Sequence, residues 1–106
     1  MPKYLMEISY TADGAKGLLK DGGSKRRAAA QSAMQSVGGN IEAMYYTFGD
    51  NDVIVIADIP DAVSAAAVSI TLAASGAVRS KTTVLLGVEE IDAAVKKQGT
   101  YTPPGR

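Results

Sequence analysis

Residues 44–58 read MYYTFGDNDVIVIAD, and the reading of this stretch decides the fold. Tyr45-Tyr46-Thr47-Phe48 is aromatic and β-branched, and Val53-Ile54-Val55-Ile56-Ala57 is aliphatic; Gly49-Asp50-Asn51-Asp52 between them has the residues of a tight turn. Two strands joined in an antiparallel hairpin are expected. The second strand is apolar on both parities, with Val53, Val55 and Ala57 on one side and Ile54 and Ile56 on the other. A strand with one wet face alternates apolar and polar residues, so this one calls for cover on both faces.

Upstream, residues 3–10 alternate as a strand, with Tyr4, Met6, Ile8 and Tyr10 on a core face and Lys3, Leu5, Glu7 and Ser9 on the other. Thr11 or Asp13 can cap a short helical segment to about Leu19, anchored only by Leu18 and Leu19. Asp21-Gly22-Gly23 interrupts it, and Ser24 can cap a helix over 25–37 that Gly38-Gly39 closes. Its inner stripe is Ala29, Ala33, Met34 and Val37, with Ala30 beside it. Lys25, Arg26 and Arg27 stand in its first turn, where the helix dipole disfavours cations. They form either a solvated basic turn or, with free backbone N–H groups, a seat for an anion. The first hairpin strand is expected over 41–48.

Downstream, Pro60 or Asp61 opens a helix to about Ser75, with Val63, Ala66, Ala67, Ile70, Ala73 and Ala74 as its expected buried stripe. Gly76 stops it, residues 78–86 form a fourth strand, and residues 89–97 a short helix with Ile91, Ala94 and Val95 inward. Residues 1–98 are expected to form one domain and residues 99–106 a polar, Pro/Gly-rich tail.

Eleven basic and eleven acidic residues give a formal charge of zero, which argues against a nucleic-acid or membrane-surface partner. Without cysteine there is no disulfide, thiol nucleophile or thiolate metal site; without histidine, any neutral-pH base would be a perturbed carboxylate, Lys or Tyr. No metal site or cofactor is expected. The first residues do not resemble a signal peptide and no apolar run is long enough to cross a membrane, so a soluble, cytoplasmic protein is expected.

The order strand, helix, strand, strand, helix, strand implies an α+β fold, the ferredoxin-like βαββαβ antiparallel sheet with helices on one face. Its other face stays apolar whichever parity is chosen, so homo-oligomerisation by face-to-face sheet packing, as a dimer or higher assembly, is expected. Several features together resemble the GYD domain family. These are Ser24-Lys25-Arg26-Arg27 at a helix start, Gly38-Gly39, Tyr45-Tyr46-Thr47-Phe48-Gly49, the apolar third strand, Pro60-Asp61, the alanine-rich helix and Gly76-x-Val78-Arg79-x-x-Thr82. The resemblance covers about residues 3–97 and implies a dimeric α+β barrel assembly. It departs at the motif that names the family, where Asn51 stands in place of the tyrosine, and it implies no general activity.

With strand order 4-1-3-2, Glu7 or Ser9 comes opposite Arg79 or Lys81, as an ion pair or as a seat for a small acidic or hydroxylated ligand between subunits. Tyr10, Tyr45 and Tyr46 are candidates to line the same cavity, stacking on a polar aromatic compound, or simply to pack there. Asp50 and Asp52 belong to the turn, since no calcium-loop pattern follows them. The residues therefore point to a structural or small-ligand-binding homo-oligomer. The alternatives are cofactor-independent oxygenase chemistry, by analogy with other barrels of this kind, and a ligand-sensing module acting with a regulatory partner. No catalytic residue can be assigned.

Overall fold

In a computed structural model covering residues 1–106, the chain begins with β1 (Lys3–Tyr10), α1 (Ala12–Asp21), α2 (Gly23–Ser36) and β2 (Asn40–Tyr46). It continues through β3 (Val53–Asp58), α3 (Ala62–Ala74), β4 (Val78–Leu85) and α4 (Val88–Lys97). The strands form one sheet in the order β2-β3-β1-β4, with every neighbouring pair antiparallel. This is the ferredoxin-like α+β arrangement, with β1 and β3 central and β2 and β4 at the edges.

The parity of the central strands places the core. Tyr4, Met6 and Ile8 of β1 and Val53, Val55 and Ala57 of β3 are buried under α2 and α3, together with Met34, Ile41, Ile59, Ala65 and Val68. Leu5, Glu7, Ser9, Ile54 and Ile56 point the other way, onto a sheet face that carries no helix and where each is only half-buried. A bulge between Ile41 and Ala43 lets β2 keep Ile41 and Met44 on the core side and Ala43 and Tyr45 on the open side.

Local chemistry accounts for the boundaries. Thr11 caps α1 by accepting from the Gly14 N–H at 3.3 Å, and Asp61 caps α3 by accepting from the Ser64 N–H at 2.8 Å. Gly22, at φ 78°, breaks the chain between α1 and α2 and serves as the α2 N-cap position in place of Ser24, without a side-chain cap. The hairpin strand β2 ends at Tyr46, two residues short of Phe48. The loop turns early because the Asp52 N–H donates to the Ile8 carbonyl and the Thr47 hydroxyl to the Asn51 carbonyl, folding the loop over the end of β1.

Two helices face differently from the sequence expectation. α3 turns Ala65, Val68, Ser69 and Leu72 to the sheet, and the hydroxyls of Ser69 and Thr82 meet at 3.0 Å. Val63 and Ile70, expected inside, are 80% and 68% exposed. The helix has no charged residue between its ends, so its sequence carries almost no direction of amphipathicity. α4 buries none of its residues: Ile91 and Val95 face solvent because the helix leaves the sheet edge beyond Gly87 and extends away from the body. The resulting particle measures 58 × 32 × 22 Å. No helix is long and apolar enough to cross a membrane.

Candidate functional site

The sheet divides the seven candidate residues into two groups. On the open face, strand register aligns Tyr45, Ile54, Glu7 and Lys81 in one row across all four strands, with Ser9 opposite Arg79 in the next row of the β1–β4 pair. Tyr10 and Tyr46 lie on the helical face. Successive strand residues point to opposite sides, so Tyr45 and Tyr46 cannot line one cavity within a single chain.

Glu7 and Ser9 are joined by a residue that the sequence placed only in the turn. The Asn51 side-chain Nδ2 donates to Glu7 Oε2 at 3.1 Å, and Asn51 Oδ1 lies 3.5 Å from Ser9 Oγ. Ser9 Oγ also donates to the Asp50 carbonyl at 3.2 Å. One residue beyond Ser9 on the same strand, the Tyr10 N–H donates to the Asp52 carboxylate at 2.8 Å. An Asn in a turn offers both a donor and an acceptor, which was the one available sequence signal for this bridge.

Lys81 and Arg79 have no carboxylate within ion-pair distance, although Glu7 is the register partner of Lys81. The open face has its ion pairs at the opposite end, where Lys3 Nζ lies 2.9 Å from Asp58 and 3.2 Å from Glu42. The hydrogen bond to Asp58 first, and that to Glu42 second, hold the Lys3 ammonium above its usual pKa of 10.5. The face therefore presents Leu5, Ile54, Ile56 and the 68% exposed Tyr45, bordered by the unpaired cations of β4. These groups can stack on a ring and donate to an anion or hydroxyl.

On the helical face, Tyr46 donates its hydroxyl to the Gly23 carbonyl at 3.0 Å, tying β2 to the start of α2. Tyr10 lies near Tyr46 and Arg26; burial first, and Tyr46 second, raise its pKa above the usual 10.0, against the opposing pull of Arg26. Beside Tyr10 a cleft of about 90 Å³ opens between α2 and α3, floored by the sheet. A larger but shallower depression of about 410 Å³ lies outside α2, by Arg27 and Gln31. Gln31 is already committed there, donating to Asn40 Oδ1 at 2.8 Å and accepting from the Ile41 N–H at 3.0 Å. No group of three or more acidic side chains is arranged to hold a metal ion.

Four antiparallel strands in the order 2-3-1-4, with the helices that cover them on one side, define a ferredoxin-like α+β protein. The chain belongs to the GYD domain family, whose pattern matches residues 4–95. Comparison with curated proteins and with solved structures gave no match.

Proposed function

We propose that the protein works as a homo-oligomer in which the open sheet faces of two copies pack together and leave a small ligand cavity between them. The observation that supports this reading most directly is the apolar open face itself: Leu5, Ile54, Ile56 and Tyr45 are aligned on a sheet with no helix of its own to cover it. A two-fold arrangement brings the same patch from each copy together, buries the isoleucines and gives each tyrosine an apolar neighbour. Glu7, Ser9, Arg79 and Lys81 then border the interface and supply polar contacts to a small polar or aromatic ligand. Tyr10 and Tyr46 support the fold from the opposite side and do not belong to this cavity. The cysteine-free composition suits a reducing compartment, and the reading places the protein in the cytoplasm.

Static light scattering across micromolar concentrations tests the assembly. The expected mass is an integer multiple, two or greater, of the 11.0 kDa chain. Ile54→Lys, which puts a charge at the centre of the face, is expected to give the single-chain mass with unchanged far-ultraviolet circular dichroism. A single-chain mass for the unaltered protein overturns the proposal. For the cavity, 4-hydroxybenzoate serves as a polar aromatic probe: it is expected to raise the thermal midpoint of the oligomer and to lose that effect in Tyr45→Ala.

A further inference from the structure

The cleft between α2 and α3 has a different chemistry from the open face and lies on the other side of the sheet. Its α2 wall is Ala29, Ala30 and Ala33, and its α3 wall is Leu72. The three alanines leave space that one larger aliphatic side chain would fill. The lining is apolar except at the mouth, where Arg26 and Tyr10 stand. Asp21 pairs with two cations, Lys25 Nζ at 3.6 Å and Arg26 Nη1 at 3.5 Å, so the three side chains together keep a net positive charge beside the opening. The first turn of α2 adds to this, since it contains no acidic residue and has no side-chain cap.

We infer that this cleft binds a short-chain aliphatic carboxylate, with its hydrocarbon end between the α2 alanines and Leu72 and its carboxylate against the Arg26 guanidinium and the Tyr10 hydroxyl. The size sets the class. A cavity of about 150 Å³ takes a benzene ring, and a water molecule occupies about 30 Å³ of liquid. At about 90 Å³ the cleft is smaller than such a cavity and matches a chain of a few carbons. Charge sets the head group: a guanidinium pairs with a carboxylate in planar, two-pronged geometry, and a protonated phenol donates to the same oxygens. Tyr10 is suited to remain that donor because its burial disfavours the phenolate. Since the cleft lies across the sheet from the proposed subunit interface, this inference does not depend on the oligomeric state.

The test is a titration of the full chain, isotopically labelled, with sodium butyrate and separately with butyramide, followed by nuclear magnetic resonance. Butyrate is expected to shift the amide resonances of Ala29, Ala30, Ala33 and Tyr10 in a saturable way, and butyramide to bind about tenfold more weakly or worse. Arg26→Gln is expected to remove that preference while leaving the remaining spectrum in place. Ala33→Leu is expected to abolish binding by filling the cleft, and Ala29→Leu, at the more exposed end, to do the same with less demand on the core. Equal affinity for butyrate and butyramide, no saturable shift at these residues, or full binding by a folded Ala29→Leu protein overturns the inference.

Discussion

The Asn51 side-chain amide donates to the Glu7 carboxylate across 3.1 Å and thereby fixes the hairpin turn to the middle of the central strand β1. The two residues are 44 positions apart in the chain. The same amide faces Ser9, so one turn residue orients the two polar side chains of β1 that look onto the open face.

Removal of this bridge by Asn51→Ala is expected to lower unfolding stability by about 1 kcal/mol, the usual net contribution of a partly buried hydrogen bond. Asn51→Asp, which sets a carboxylate against a carboxylate, is expected to cost more than Asn51→Ala. Urea denaturation of the three proteins measures the order; equal stability of all three would show that the turn is held by its backbone bonds alone.

Gly14 and Gly17 sit three residues apart in α1 and are expected to respond in opposite directions to alanine. A Cβ at Gly14 clashes with the Ala77 carbonyl oxygen and meets the Tyr10 ring at 2.8 Å, whereas one at Gly17 meets nothing within 4 Å. Thr11 pins this turn, donating from its hydroxyl to the Gly76 carbonyl at 2.7 Å and from its N–H to the Ala77 carbonyl at 3.0 Å. Gly14→Ala is therefore expected to destabilise by about 1–3 kcal/mol through overpacking. Gly17→Ala is expected to stabilise by about 0.5–1 kcal/mol through helix propensity. Denaturation midpoints of both variants check the contrast.

Asp61 makes the stability of α3 depend on acid pH. Its hydrogen bond from the Ser64 N–H, and after it the Ser64 side chain, hold the carboxyl below its ordinary pKa of 3.8. A depressed folded-state value means that the stabilisation is present above 3.8 and is lost as pH falls through the lower, folded value. Asp61→Ala is expected to reduce the thermal midpoint at pH 7, and the gap from the unaltered protein to narrow in strong acid. Asp61→Asn, which keeps a capping oxygen without a titratable group, is expected to retain part of the midpoint without that acid dependence. A gap independent of pH would place the effect of Asp61 elsewhere than in its ionised cap.

The strands, the hairpin and the two capped helix starts are legible in the sequence because each depends on near neighbours: strand parity, turn residues, Thr11 and Asp61. The strand order follows from the ferredoxin-like succession of elements. The buried face of α3 is not legible because a helix of alanine, valine and serine offers nearly equivalent faces. Contacts across the fold, such as the one between Ser69 and Thr82, select the buried one. Tyr10, Tyr45 and Tyr46 are divided within the chain for a simpler reason. Parity assigns Tyr10 to the core face with Met6 and places Tyr45 and Tyr46 on opposite sides, so no single-chain cavity can take all three. The Asn51 bridge and the Arg26 cleft mouth are long-range arrangements, and beyond the donor and acceptor that Asn51 brings to the turn no local pattern points to them.

The outward course of α4 affects how the size of this molecule is read in solution. Its radius of gyration is 16.8 Å, where a rounded domain of about 100 residues has about 13 Å. One copy with this arm extended sweeps out the volume of a heavier sphere and leaves a gel-filtration column early. Elution position alone would then report a pair where there is one chain, while scattered light, which weighs mass and not girth, separates the two.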